Sequence, residues 1–380
     1  MAEPLRILQF VNTLEFGGAT DYALTLSEHL DKNRFQSYFA HGPGSGWEAR
    51  ADDCSTDVLN LDTMKPSHTQ ETDNTILGDI VALWRLYRYL RVRKIDIIHT
   101  HGSKSRLLGG MAATIARTPL RVQSAHGFAF NSRQSQLKNF AFVMIERIMG
   151  ALHHELVLES KYDLEEAKKA SLGRSRRYIY TGIPFKPLDD LNNGRKLREK
   201  LGISTDDIVV TMVGRLTEQK DPHTFVKAAQ IVLKKHPNTI FLIVGDGDLQ
   251  ESTASLIADS KSIRLLGRRT DANTIITASD VYMLCSRWEG IPLTILAAQY
   301  LGKPIIATDK LGLPEVVVDG ETGLLAREGN PQDYAYAVSK LVTDRNLRNS
   351  LGSQGKKMVS TRHSVRTMIS EFEKLYTTTR

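Results

Sequence analysis

At 380 residues the chain is too long for one ordinary core, so two domains are expected. Hydrophobic residues make up 41% and charged residues 24%, a globular balance that excludes a disordered chain, and no window approaches the ~18 consecutive apolar residues of a membrane span. The 50 basic and 43 acidic residues leave a net +7, too mild a surplus to imply nucleic acid as a partner.

The first residues run into a strand-like segment without the apolar stretch of a signal peptide, which argues for a cytoplasmic location. Leu5–Val11 reads as a buried parallel strand, followed by the glycine turn Phe16-Gly17-Gly18-Ala19-Thr20 and a helix over 21–30. Phe35–His41 is a second strand. A helix over 80–93, a strand over 95–101, a helix over 105–116 and a strand over 120–126 follow, then a helix over 137–152 and a strand over 154–159. A basic stretch at 174–177 precedes Ile179-Tyr180. The turn-rich segment 181–187, with two prolines, breaks the alternation. It restarts with strands at 208–213, 240–244, 262–266, 281–284 and 304–307 and a helix at 225–234. The pattern is α/β, and it predicts two Rossmann-like domains joined near residue 186. A final amphipathic helix is predicted over 364–376, where Val365, Met368, Ile369, Phe372 and Leu375 share one face.

Charge is unevenly spread. Between Ile76 and Val122 stand Arg85, Arg88, Arg91, Arg93, Lys94, Lys104, Arg106, Arg117 and Arg121 against only Asp79 and Asp96. This is either a solvated helix face or a patch that meets anionic lipid headgroups or an anionic acceptor. Cys54 and Cys285 are expected to be reduced and structural. His99 and His101 share one strand face but lack the further ligands that a metal would need.

Two loops carry the chemistry. In Val213-Gly214-Arg215-Leu216-Thr217-Glu218-Gln219-Lys220-Asp221, a strand ends at a glycine and two cations follow five positions apart. Such loops line the crevice at the carboxyl ends of parallel strands, and a guanidinium fork with an ammonium point charge suits a diphosphate. Both cations are expected to be exposed. In Ser286-Arg287-Trp288-Glu289-Gly290-Ile291-Pro292-Leu293-Thr294, Gly290 permits close backbone approach and Pro292 suits the first helical position. The N–H groups of Leu293 and Thr294 then face an anion at the helix start. Glu289 would repel phosphate, so neutral sugar hydroxyls are its expected partners.

Gly-Arg-x4-Lys, Val244-Gly245-Asp246-Gly247, Glu289-Gly290-Ile291-Pro292, Gly312-Leu313-Pro314-Glu315 and Asp319-Gly320-Glu321-Thr322-Gly323-Leu324 together resemble the donor domain of family 4 retaining glycosyltransferases of GT-B fold. The turn at Gly17-Gly18, His99-Thr100-His101-Gly102 and Ala125-His126-Gly127-Phe128 resemble the acceptor domain of its capsular and exopolysaccharide branch. The resemblance implies two domains facing across a cleft: an acceptor domain at 1–186, a nucleotide-sugar domain at 187–360, and a C-terminal helix at 361–380 that packs back on the first. It implies catalytic roles for His126, Arg215, Lys220 and Glu289. Donor contacts fall to Gly17, Gly18, Gly214, Arg268, Gly290, Ile291, Leu293 and Thr294. The implied reaction moves a sugar from a nucleotide diphosphate sugar, with UDP as the nucleotide, to a glycan or lipid-linked acceptor. No metal and no cofactor are implied. Arg85, Arg88, Arg91, Arg93 and Lys94 would place the protein on the inner face of the cell membrane. One position departs: Ala297 stands where the second glutamate of Glu-x7-Glu belongs. That keeps open a catalytically degenerate nucleotide-sugar-binding subunit, beside a nucleotide-sugar epimerase or sugar-phosphate synthase of the same architecture.

Overall fold

A computed structural model of the chain describes residues 3–15, 17–64, 75–128, 135–183, 191–258 and 260–378. Phe16, the prolines at 184 and 187 and the expected boundary near 186 lie outside these residues. The chain divides into two compact units: Met1–Gly182 with Val365–Arg380, and Ile183–Ser364.

The first unit runs β1 (Leu5–Val11), α1 (Gly18–His29), β2 (Phe35–His41), α2 (Glu48–Cys54), β3 (Val58–Asn60), α3 (Thr75–Val92), β4 (Ile97–His101), α4 (Ser103–Ala116), β5 (Leu120–Ala125), α5 (Gln136–Leu152), β6 (Glu155–Leu158), α6 (Lys161–Lys169) and β7 (Ser175–Tyr178). Its strands form one parallel sheet in the order β3-β2-β1-β4-β5-β6-β7. The central strands β1, β4 and β5 are buried along most of their length because helices cover both faces of the sheet. Residues 175–177 of the basic stretch form most of β7. At the sheet edge, alternate side chains of a strand reach solvent, so arginine is tolerated there.

The second unit runs α7 (Leu191–Lys200), β8 (Ile208–Val213), α8 (Pro222–Leu233), β9 (Thr239–Val244), α9 (Gln250–Ile257), β10 (Ile263–Leu265), α10 (Ala272–Ala278), β11 (Val281–Leu284), α11 (Leu293–Tyr300), β12 (Ile305–Thr308), α12 (Leu313–Val316), β13 (Gly323–Ala326), α13 (Pro331–Thr343) and α14 (Arg345–Arg362). Its parallel sheet has the order β10-β9-β8-β11-β12-β13. The order reverses between β8 and β11, which opens a crevice at the carboxyl ends of these two strands. Local chemistry starts the helices sharply. Asp221 accepts from Thr224 N with Pro222 next to it, and Asn330 caps α13 ahead of Pro331.

The last helix, α15 (Val365–Thr378), belongs to the first unit. Met368, Ile369, Phe372, Leu375 and Tyr376 pack with Tyr22 and Leu26 of α1 on Ile7, Ile97 and Val122. The opposite face of that sheet carries α3 and α4, whose Leu86, Leu90, Ala112 and Ala113 cover Leu8, Phe10 and Ile98. Cys54 and Cys285 are buried free thiols. Among the described residues no helix is long and apolar enough to cross a membrane.

Candidate active site

In the second unit the two predicted loops meet at the crevice between β8 and β11. Lys220 Nζ lies 2.5 Å from Glu289 Oε1. Four further bonds join the loops. Arg287 donates its backbone N–H to Gln219 O (2.7 Å), its Nε to Asp221 Oδ2 (2.9 Å) and its Nη1 to Glu218 Oε1 (3.2 Å), and Gln219 Nε2 donates to Trp288 O (2.9 Å). Asp221 thus serves both the α8 cap and Arg287, so the position of Lys220 is fixed from two sides. The sequence did not mark Arg287 or Asp221, because neither could be paired before the loops were known to touch.

The expectation that both cations are exposed holds for Arg215 only. The Lys220 side chain is 16% exposed and that of Glu289 9%. Lys220 lays its methylene stem over Gly214, where an added Cβ would stand 3.3 Å from its Cε. A carboxylate this deep needs a cation, and Lys220 supplies it. Glu289 therefore faces an ammonium here, and not only hydroxyl partners as its sequence suggested.

Three glycine turns build the floor. Gly214 N donates to Val244 O (3.0 Å) and Gly245 N donates to Gly267 O (2.9 Å), so the ends of β8, β9 and β10 are joined in register. Gly245 has φ +135°, and a Cβ there would lie 2.0 Å from Gly214 O. Only glycine fits. The Gly245-Asp246-Gly247 turn is thus a buttress for the Arg215 loop. Arg268 follows Gly267 and is exposed.

Pro292 is the cap residue ahead of α11 and not its first helical residue, as the sequence had suggested. The first helical bonds run from Ile295 N and Leu296 N to Pro292 O, so the N–H groups of Leu293 and Thr294 precede them. Gly290 and Ile291 are buried under this turn. The Tyr282 hydroxyl donates to Val213 O (3.1 Å), tying β11 to the end of β8. Leu293, Thr294 and Ala297 share the half-buried face of α11, while Ile295, Leu296 and Ala298 are buried in the core.

In the first unit, His126 follows β5 and is 19% exposed; its Nδ1 lies 2.7 Å from Glu159 Oε1. His126 Nε2 is 3.3 Å from His101 Nδ1, and His101 Nε2 is 2.8 Å from the Gln9 side chain. His99 is held between the Tyr376 hydroxyl (2.7 Å) and the Ser124 hydroxyl (2.8 Å). Both ring nitrogens of His99 and of His101 therefore have protein partners. Burial holds these two imidazoles well below the ordinary histidine range, and neighbouring imidazoles push the same way. Gln9, Tyr22 and Glu159 were missed in the sequence. The register aligns Gln9 with His99 and His101 with Ser124, so these groups meet only once the strands are ordered. Gly17 and Gly18 begin α1 and are exposed, and the chain itself leaves room for a Cβ at Gly17.

Four of the nine basic residues of the segment are paired with carboxylates. Arg85 pairs with Asp62 (2.6 Å), Arg93 with Asp57 (2.6 Å), Lys104 with Asp79 (2.7 Å) and buried Arg106 with Glu146 (2.5 Å). Arg121 donates to the carbonyls of Leu152 and Thr118. Arg88, Arg91, Lys94 and Arg117 remain exposed. The patch expected from Arg85, Arg88, Arg91, Arg93 and Lys94 is thus weaker than its count implied.

Comparison with known proteins accords with this geometry. Residues 17–165 match the family described as Glycosyl transferase 4-like domain, and residues 193–358 match Glycosyl transferases group 1. The UDP-Gal:alpha-D-GlcNAc-diphosphoundecaprenol alpha-1,3-galactosyltransferase of Escherichia coli is 33% identical, over 72% of this chain and 73% of its own. The capsular polysaccharide biosynthesis glycosyltransferase CapM of Staphylococcus aureus is 24% identical, over 80% of this chain and 83% of its own. In fold the chain is similar to HepE of Anabaena, solved in complex with UDP and glucose, with TM-score 0.84, 20% identity, and coverage of 98% of this chain and 99% of that one. Two parallel α/β sheets and matches over both halves place the chain in one family: it belongs to the family 4-type glycosyltransferases of GT-B fold.

Proposed function

We propose that the protein transfers a glycosyl group from a UDP-sugar to a glycan or lipid-linked acceptor, with retained anomeric configuration and without a metal ion. The observation that carries this reading is the Lys220–Glu289 pair at the β8/β11 crevice, with exposed Arg215 and the start of α11 beside it. An arriving diphosphate competes with Glu289 for the ammonium. Lys220 turns to the phosphate, and the released carboxylate accepts from donor-sugar hydroxyls. One exchange of partners thereby readies both halves of the donor site. As the glycosidic bond breaks, charge builds on the leaving diphosphate, where Arg215, Lys220 and the Leu293 and Thr294 N–H groups stabilise it. His126 is assigned to the sugar side. Arg268 is assigned to the base, and Gly17 and Gly18 to close approach of the first unit's backbone. The relatives' lipid-diphosphate acceptor adds a membrane setting, for which peripheral association is our reading.

The test is a screen of nucleotide sugars, with and without diphosphoprenyl sugar acceptors, read by product anomeric configuration. Transfer from a UDP-sugar with retention, unchanged by chelator, supports the reading. Binding without turnover over the whole acceptor set points to a degenerate subunit. Conversion of the donor without an acceptor points to an epimerase. Inversion refutes the stereochemical claim.

A further inference from the structure

Glu159 follows β6 and is buried, and among the described residues His126 is its ion-pair partner. Glu159 Oε1 has no other partner among them. A carboxylate this deep needs a compensating charge. The neighbouring groups say where the hydrogens lie. Gln9 Oε1 stands 2.8 Å from His101 Nε2. An amide oxygen only accepts, so His101 Nε2 carries the hydrogen. The other side of the amide sets its orientation, because its N–H group faces the Tyr376 oxygen. His101 is fully enclosed, and burial, with His99 and His126 pushing the same way, holds its pKa well down. It is therefore neutral, and its Nδ1 is bare.

That bare nitrogen lies 3.3 Å from His126 Nε2, so His126 Nε2 donates. On its other side His126 Nδ1 is 2.7 Å from Glu159 Oε1, and a carboxylate also only accepts. Two acceptors flank one imidazole, and the ring that serves both carries hydrogen on each nitrogen. The charge this leaves on His126 is the one that Glu159 needs. The ring is held in plane as well. Tyr22 of α1 meets it edge-on with centroids 5.2 Å apart, and the His101 ring lies at 23° to it.

We infer that Glu159 is a positioning residue that holds His126 doubly protonated, so that His126 donates a hydrogen bond to a sugar hydroxyl oxygen of the substrate and takes no proton from the acceptor. The hydrogen on offer is that of Nε2. Its bond to His101 is longer than hydrogen bonds of this kind usually are, whereas the Nδ1 contact with Glu159 is short. An incoming hydroxyl oxygen replaces the weaker partner, and Glu159 keeps the ring in place while it does so. The acceptor's own proton then passes to the departing diphosphate, a base that the reaction itself supplies. This catalytic consequence rests on the assignment of His126 to the sugar side; the state of the ring does not.

The experiment has two arms. In the free protein at neutral pH, magnetic resonance of isotopically labelled histidine counts the ring hydrogens of His126, whose signals are identified by their loss in His126→Ala. Hydrogen on both nitrogens is expected, and Glu159→Gln should remove one. A bare nitrogen on His126 in the parent overturns the inference. In the second arm, with the donor and acceptor found by the nucleotide-sugar screen, Glu159→Gln should lower kcat at least about tenfold and leave UDP affinity within about twofold. In a His126→Ala background the same substitution should cost no more than about twofold, because a positioning residue has nothing left to position. Losses that multiply overturn the positioning role. His126→Gln offers an N–H and takes no proton, so it should keep at least about tenfold more turnover than His126→Ala; equal losses overturn the donor role. Full turnover in His126→Ala refutes the sugar-side assignment instead, while two ring hydrogens in the parent still uphold the hold of Glu159 on His126. If Glu159→Gln misfolds, the labelled parent decides.

Discussion

Replacing Lys220 with methionine keeps most of its volume and removes its charge, which leaves Glu289 as a carboxylate only 9% exposed with its cation gone. Breaking one side of a buried pair costs about 3–5 kcal/mol, and the residual solvent access of both partners places this case near about 3 kcal/mol. With a urea slope of about 2 kcal/mol/M, the second unit's midpoint should fall by about 1.5 M. Trp288 is the one tryptophan of that unit, so fluorescence in a Trp47→Phe/Trp84→Phe background reports it. Glu289→Gln should cost less, because the ammonium of Lys220 can reach water along its stem. The double variant Lys220→Met/Glu289→Gln should recover most of the loss, because no uncompensated charge remains. A double-mutant cycle isolates that coupling, expected at about 2 kcal/mol. Turnover follows a different pattern: Glu289→Gln folds yet loses transfer, whereas Lys220→Met loses both. A Lys220→Met midpoint within about 0.3 M of the parent, against the slope assumed, refutes the reasoning, as does a double variant whose losses simply add.

Gly245→Ala places a Cβ against Gly214 O and must displace the Arg215 loop, so donor affinity should fall at least about tenfold, equivalent to about 1.4 kcal/mol. Calorimetric titration with UDP checks this, and unchanged affinity counts against the buttress. Acid should destabilise the first unit selectively, since burial holds His153 down at about 3 and keeps His99 and His101 well below their ordinary value. With folded values below the unfolded ~6.5, this stability is complete above that pH and is lost as pH falls toward 3, by about 2 kcal/mol at pH 5 for His153 alone. Urea midpoints read on Trp47 and Trp84 at a series of pH values test it, and a flat profile below pH 6.5 refutes it. Ala297→Glu adds a carboxylate on the half-buried face of α11 next to Thr294, within reach of a ribose bound at the crevice. UDP should then bind at least about tenfold tighter, through one charge-assisted bond of about 1.5–3 kcal/mol when well made, and no gain means that the ribose is held by other residues.

What the sequence made legible follows from how local each signal is. The central strands were readable because a strand covered on both faces is dominated by apolar residues, as Leu5–Val11 and Val281–Leu284 are. The edge strand β3 was not readable, since its three residues, two half-buried and one exposed, carry no such run. Helices α13 and α14 went unread although Asn330-Pro331 and Asp344 cap them, because α14 is mostly polar and its buried side is Leu351, Gly352, Gly355 and Val359. At the site, the residue types were evident from each loop alone. The Lys220–Glu289 contact was not, because it joins positions 69 apart.

The basic segment shows the limit most sharply. Counted along the chain, Ile76–Val122 carries a surplus of seven, but the acids that answer it lie outside that window: Asp57 and Asp62 precede it, and Glu146 follows. Neutralisation happens in space, and a window in sequence cannot register it. The apolar residues of α3 and α5 were ambiguous in the converse way. At helical spacing an apolar position reads as core, and α5 is apolar on much of its circumference. Only the packing of α4 between its neighbours separates Met149, which is buried, from Ile148, which is not. Three of the segment's cations are thus answered by acids outside the window, while Arg88, Arg91, Lys94 and Arg117 stay exposed.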